Sequence, residues 1–448
     1  MAKIKNKKKS EVISKAKKQD VSSIQSIAVE GFKSFRTKQK IDLKPLTILA
    51  GANSSGKSSI MQPLMLMKQT LEASYDPGVF KLDGPNVDFS DQEQMYWKTA
   101  TKSSKSFSIS LSSNDFDFSI EYGKNESGNI GILKQKTTNI FSGQDFLFKP
   151  GFTHDDLAKI PFVIETSKGI QRIVPKGFLS NFSLNRYRCF FGYSIGNISV
   201  KANELPSDHP VSHQIMKTLH LPGLRGNPAR MYPKTATGPM FPGVFPVYAA
   251  SIIASWMEKS DARLDKLGKA LRDLGLTWKV EANPVSGVGI ELNVGRLQKP
   301  GKNGAKDLVN IADVGVGVSQ VLPVVVALLT AEKGRIVYIE QPEIHLHPRA
   351  QVAMAKLLLD AAKRGVIVVA ETHSQFLLLG VQEQIAAGKY NPDLVNLNWF
   401  QRKPNGESIV TPGNIDDRGV YGDWPEDFSN VKLQQETRFL NASMRFDS

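Results

Sequence analysis

Cysteine is almost absent: the 448 residues contain one, Cys189. That excludes an internal disulfide framework and any zinc site built on cysteines. No apolar run reaches the roughly 18 residues of a membrane-spanning helix, so no membrane span is expected. The N-terminus is rich in lysine, but no apolar stretch follows it as a secretory signal would require. There is no internal repeat and no heptad pattern, so the middle of the chain is not a long coiled coil. Together these absences lead to the expectation of a cytoplasmic protein.

Hydrophobic residues make up 41% of the chain, enough for a sizeable core. The length suits one large α/β domain with a substantial insertion, or two domains. The formal net charge is +14. Residues 1–20 hold eight lysines against Glu11 and Asp20, a net of +6, and the remainder carries +8. The first twenty residues read as a solvated basic tail or as a non-specific binder of DNA or RNA phosphates. The modest excess elsewhere tilts toward a nucleic-acid partner.

Ordered structure is expected from Val21. Ile24 to Phe35 and Lys40 to Ala50 read as two strands joined by a turn near Thr37, the second ending in Leu46-Thr47-Ile48-Leu49-Ala50. A helix follows Lys57, with Pro63 placed in its first turns. Ser106 to Ser112 and Phe116 to Tyr122 alternate at period two and predict antiparallel strands. Residues 205–245 are rich in proline and glycine and read as irregular. A helix is expected over Val247–Leu274, with strands at Thr277–Glu281 and Gly287–Val294. Helices over Ser319–Ala331, Arg349–Lys363 and Gln375–Ala387 then alternate with strands at Ile336–Ile339 and Val366–Ala370, the mark of a parallel sheet. The resulting division is a tail (1–20), the first part of a nucleotide-binding core (21–97), a β-rich subdomain (98–204), a helical and strand insertion (205–306), the second part of the core (307–400) and a C-terminal extension (401–448).

Gly51-Ala52-Asn53-Ser54-Ser55-Gly56-Lys57-Ser58 is a complete G-x-x-x-x-G-K-[ST] phosphate loop, with a strand before it and a helix after it. Its glycines let backbone N–H groups turn toward phosphate oxygens, and the helix adds its positive N-terminal end. Lys57 is expected to reach the β- and γ-phosphates of ATP, and Ser58, followed by Ser59, to ligate Mg2+. Arg335 to Ile339 is a mostly apolar strand ending in Glu340, the acid expected to hold Mg2+ beside Ser58. A second such strand ends in Glu371-Thr372-His373-Ser374, where His373 is placed to contact the γ-phosphate. His345 and His347 alternate beside Pro348 and are read as part of a loop between subunits rather than as metal ligands.

Gly31-Phe32-Lys33-Ser34-Phe35, the phosphate loop, the run Ile339 to Gln351 and Glu371-Thr372-His373-Ser374 together resemble the ABC-type P-loop ATPases of the SMC, RecF and OLD branch. More closely, the chain resembles stand-alone bacterial AAA-family ATPases whose C-terminal extension carries Asp-Trp-Pro, here Asp423-Trp424-Pro425, and Gly223 to Tyr232 shares that resemblance. The resemblance implies an α/β ABC-type fold with a mixed or parallel core sheet, an antiparallel β subdomain and a helical insertion. It also implies a split site, ATP lying between the phosphate loop of one copy and the signature segment of another in a homodimer or higher homo-oligomer. That segment would be Asp313 to Gln320, with Gly315, Gly317, Ser319 and Gln320 as nucleotide contacts; it departs from the usual LSGGQ type in having Gly315 where a serine stands. Gln341 occupies the place of the usual catalytic glutamate. Glutamine orients water but cannot take its proton, so either Glu343 serves as base or hydrolysis is slow; slow but real hydrolysis with Glu343 assisting is the favoured expectation. Gln92 and Gln94 are candidates for the glutamine that touches Mg2+.

The favoured function is an ATP-driven switch controlling a separate effector, a nuclease first of all, in bacterial defence against phages or plasmids. Beyond His373 the sequence shows no TOPRIM-like acidic cluster and no HNH or cysteine-based zinc motif. The alternatives are a RecF/SMC-like DNA clamp in repair or chromosome maintenance, and a nearly inactive ATP-dependent scaffold.

Overall fold

The computed structural model describes residues 23–99, 101–140, 143–153, 156, 162–166, 169–173, 183–194, 210–285, 287–297, 307–422 and 437–439. The basic tail and Asp423-Trp424-Pro425 lie outside the described residues.

The chain opens with β1 (Ser26–Glu30), β2 (Gln39–Asp42), β3 (Leu46–Gly51) and α1 (Lys57–Leu71). Strands β4 (Ser106–Ser112), β5 (Phe116–Lys124), β6 (Ile130–Asn139) and β7 (Gln144–Phe148) follow, then the pairs β8 (Phe162–Thr166) with β9 (Gly169–Ile173) and β10 (Ser183–Tyr187) with β11 (Phe190–Ser194). Next come α2 (Pro210–Lys217), β12 (Leu219–Leu221), β13 (Tyr232–Pro233), α3 (Ala249–Glu258), α4 (Arg263–Asp273), β14 (Val280–Pro284), β15 (Gly289–Gly295) and β16 (Leu308–Asn310). The last part is α5 (Val316–Thr330), β17 (Ile336–Glu340), α6 (Pro348–Lys363), β18 (Ile367–Thr372), α7 (Gln375–Ala386), β19 (Val395–Arg402) and β20 (Ser408–Asn414).

The central sheet has the order β12-β17-β18-β3-β19-β20, parallel from β12 to β19 and closed by the antiparallel β20. Its inner strands are buried on both faces, which is why they read as continuous apolar runs rather than as alternation. Successive residues go to opposite faces. Val337, Ile339, Val368, Ala370, Leu46 and Ile48 pack with α3, α4, α5, α6 and α7. Ile336, Tyr338, Ile367, Val369 and Leu49 face α1 and a second sheet. That second sheet is antiparallel, in the order β2-β1-β4-β5-β6-β7. It joins β1 and β2, from before residue 98, to β4 from after it. In a parallel sheet all C-terminal strand ends meet at one edge, and here that edge carries the loop after β3, Glu340 and Glu371.

Several boundaries differ from the sequence expectations. The strand expected over Lys40–Ala50 is two strands in different sheets, β2 and β3, broken at Lys44-Pro45, where Thr47 Oγ1 takes the Lys44 N–H at 2.9 Å. The strand expected to run to Phe35 ends at Glu30, because Gly31 (φ 72°) and Lys33 (φ 48°) take left-handed conformations. The single helix over Val247–Leu274 is α3 and α4, parted at Ser260 (φ 50°) and restarted where Asp261 accepts the Arg263 N–H. Pro63 is the seventh residue of α1, beyond the free N–H groups of the first turn, so its ring removes one intrahelical hydrogen bond. The segment expected to be irregular contains α2 and the edge strand β12. Three residues are too few to show a period, yet Leu219 and Leu221 are buried in the core.

Candidate nucleotide site

The turn out of β3 is shaped by its two glycines. Gly51 has φ 147°, and a side chain there would meet the Phe400 carbonyl oxygen at 2.3 Å. Gly56, with φ 102°, precedes α1, and a side chain there would meet Ser34 Oγ at 2.7 Å and Ser408 Oγ at 2.8 Å. Between them Ala52, Asn53 and Ser54 are exposed, while Ser55 turns inward. The ammonium of Lys57 lies inside the loop, donating to Gly51 O at 3.1 Å and Ala52 O at 2.8 Å. Burial lowers its pKa, and the charges of Glu371 and Glu343 oppose that shift.

A cleft of about 920 Å³ opens above this turn. Of the residues expected at the nucleotide, Asn53, Ser54, Gly56, Lys57, Ser58, Ser59, Glu340, Gln341 and His373 line it, as does Gln94. Gln92 instead accepts the Ile130 N–H, on the antiparallel sheet. His373 is half-buried; burial and the neighbouring Lys57 charge lower its pKa.

Glu340 is held from behind. His220 Nε2 lies 3.2 Å from its Oε1, and the Gly223 N–H donates to its Oε2 at 3.0 Å. Burial alone would raise its carboxyl; the hydrogen bonds from His220 and Gly223 outweigh it and hold the pKa below the usual range. The His220 ring stacks on Tyr338 at 5.1 Å, and its Nδ1 sits 3.1 Å from Asn86 Oδ1. Asn86 Nδ2 is buried without a partner.

Arg225 crosses the same loop. Its Nη2 donates to Glu340 O at 2.6 Å and to Gln341 O at 3.2 Å, and its Nη1 to Gln320 O at 3.4 Å. The Gln320 side chain closes the link, donating to Gly226 O at 2.6 Å and accepting the Arg225 N–H at 3.3 Å. Residues 223–226 thus strap the acidic strand end to the first turns of α5.

Glu343 does not line the cleft. It is 7% exposed, and its Oε1 accepts from Thr372 Oγ1 at 2.6 Å and the His373 N–H at 3.1 Å. Burial raises its pKa. Its carboxylate fastens the loop after Glu340 to the strand end that presents His373. Gln341 does reach the cleft, in a left-handed conformation (φ 48°), its N–H bonded to Glu371 O at 2.9 Å.

Gly315, Gly317, Ser319 and Gln320 lie away from this cleft, at the start of α5. A side chain on Gly317 would meet His345 O at 3.3 Å, and Ser319 Oγ donates to Val316 O at 2.9 Å. His345 and His347 are exposed, and His347 caps α6 through the Arg349 N–H. Four residues at the site were assigned no role from sequence: His220, Gly223, Arg225 and Glu371. The block Gly223 to Tyr232 and the run Glu371 to Ser374 carried a signal, as parts of the resemblance, while His220 carried none.

The strand, phosphate loop, helix and acidic strand ends define an α/β P-loop fold. Residues 23–176 match the family described as "AAA ATPase domain", and residues 255–379 match "AAA domain, putative AbiEii toxin, Type IV TA system". No curated protein matches the sequence. Among solved structures the chain is similar to an Smc head bound to the C-winged helix domain of ScpA, at 12% identity and TM-score 0.41, covering 88% of this chain and 98% of that one. It is also similar to the SMC head domain from Thermotoga maritima, at 9% identity and TM-score 0.36, covering 88% and 100%. A third is an Smc head domain with an extended coiled coil bound to the C-terminal domain of ScpA derived from Pyrococcus furiosus, at 12% identity and TM-score 0.41, covering 93% and 99%. Among the described residues no helix is long and apolar enough to cross a membrane.

Proposed function

We propose that this chain binds ATP with Mg2+ in the cleft above Gly51–Ser58, hydrolyses it slowly, and uses the cycle as a switch for a separate effector protein. The observation that carries this is the meeting of Lys57, Ser58, Glu340, Gln341 and His373 around one cleft. The fit to a phosphate group rests on the loop itself. The Lys57 ammonium lies within the loop against two of its carbonyls, and both glycines take conformations a side chain would block. Ser58 and Glu340 are the residues to hold Mg2+, whose charge, when bound, offsets that of the β- and γ-phosphates. Gln341 orients the attacking water, Glu343 keeps His373 in place, and Gln94 rather than Gln92 is the glutamine at the cleft.

The split-site reading is supported by the signature segment, where Gly315 and Val316 are exposed and do not line the chain's own cleft. A second copy would offer this helix start to the γ-phosphate. The family matched over 255–379 names a putative AbiEii toxin of a type IV system, which supports a role in bacterial defence; that the effector is a nuclease is part of the proposal. The test is phosphate release and sedimentation with and without ATP, beside Lys57→Ala. Turnover and ATP-dependent assembly, both lost in the variant, are the expected results. Tight ATP binding without any turnover would leave the scaffold reading, and salt-sensitive DNA binding that needs residues 1–20 would favour the clamp.

A further inference from the structure

Glu371 is the penultimate residue of β18 and sits directly beside Glu340 in the parallel register. It is 4% exposed and lines the cleft. Both of its oxygens are engaged: Oε2 accepts from Ser58 Oγ at 2.9 Å, and Oε1 from the Tyr338 hydroxyl. The Lys57 charge is a third neighbour. Glu340, by contrast, turns both oxygens to His220 and Gly223 and makes no hydrogen bond to Ser58. The P-loop hydroxyl is therefore oriented by the carboxylate of the middle strand, not by that of the acidic strand end.

The chemistry of the pair matters. A serine hydroxyl that gives its proton to a carboxylate turns its lone pairs the other way and becomes the more basic for it. A neutral glutamine has one acceptor oxygen and one donor amide, so it could take only one of these two hydroxyl protons and would have to donate to the other hydroxyl. An ionisable group at this place is explained by a positive charge arriving in the cleft. Resting on the Mg2+–ATP reading above, we propose that Glu371 is a positioning carboxylate of the cation site, holding the Ser58 hydroxyl proton so that the Ser58 oxygen faces the divalent ion. Ser58 and Glu340 would hold the ion, and the Glu371 charge, on the neighbouring strand, would act through Ser58.

The test is Mn2+ binding followed by electron paramagnetic resonance with a non-hydrolysable ATP analogue, set beside analogue binding in EDTA. Glu371→Gln keeps the shape and one acceptor oxygen and removes the charge. The expected result is an Mn2+ affinity lowered about 10-fold or more, with cation-free nucleotide binding not weakened, since a negative charge near the phosphates has gone. Mn2+ affinity equal to the parent's overturns the proposal, and so does a loss of cation-free binding in step with cation affinity. Should Glu371→Gln fail to fold, Glu371→Asp withdraws the same charge by one methylene, and a several-fold loss of Mn2+ affinity is expected; no loss overturns the proposal. If the parent itself binds no nucleotide with or without the ion, the ATP reading fails instead.

Discussion

Arg225 donates from one guanidinium to the carbonyl of Glu340 at 2.6 Å and to that of Gln320 at 3.4 Å. One half-buried cation thus spans the acid beside the phosphate loop and the helix start proposed above to meet a second copy. Burial lowers its pKa to about 10, against the pull of Glu343 and Glu340. It therefore remains charged at neutral pH, and its contacts are charge-assisted hydrogen bonds.

Truncating that side chain leaves carbonyls at Glu340, Gln341 and Gln320 without their donor. Arg225→Ala is expected to lower stability in urea unfolding by about 2–4 kcal/mol. It should also weaken ATP-dependent self-association more than ATP binding by the single chain. Self-association unchanged in a folded variant would remove the coupling role.

Glu343 lies behind the cleft wall and grips Thr372 and His373. Glu343→Gln keeps an acceptor at that place, so phosphate release should fall by less than about 10-fold. Glu343→Ala leaves the Thr372 hydroxyl and His373 N–H unpaired and should cost about 1–3 kcal/mol of stability. A Glu343→Gln variant as inactive as Lys57→Ala would instead make Glu343 the base.

Gly51→Ala places a methyl 2.3 Å from the Phe400 carbonyl oxygen at a φ of 147°. The loop must shift, at a cost of about 1–3 kcal/mol, and nucleotide binding should be lost while the helical layer keeps its fold. Isothermal titration with ATP and circular dichroism decide it; unaltered ATP affinity would show that the loop tolerates the shift.

Burial raises the Glu371 carboxyl from 4.5 to about 7, with the Glu340 charge adding to the shift and Tyr338, Ser58 and Lys57 opposing it. The folded state then holds more protons than the unfolded chain between those values. This contribution is complete below the unfolded pKa and is lost as pH rises through the folded one. Between pH 5 and pH 8 the parent should therefore lose more stability than Glu371→Gln, by an amount on the order of 1–3 kcal/mol. Urea titrations at the two pH values check this, and parallel slopes for the two proteins would contradict it.

The amino-acid order by itself determined the local parts of this molecule. A phosphate loop is eight contiguous residues whose glycines and lysine act on their own backbone, so Gly51 to Ser58 is legible without any neighbour. The apolar runs ending in Glu340 and in Glu371-Thr372-His373 are legible for the same reason: strands buried on both faces must be apolar until their polar tips. What the order could not determine is which distant groups those tips meet. Whether Glu340 or Glu371 takes the Ser58 proton depends on the sheet order β17-β18-β3, which puts Glu371 next to the P-loop strand. His220 and Arg225 reach Glu340 from more than a hundred residues away, through a three-residue edge strand too short to carry a pattern. Hydrogen bonds act over about 3 Å of space whatever the separation along the chain, so only the folded sheet could assign those partners.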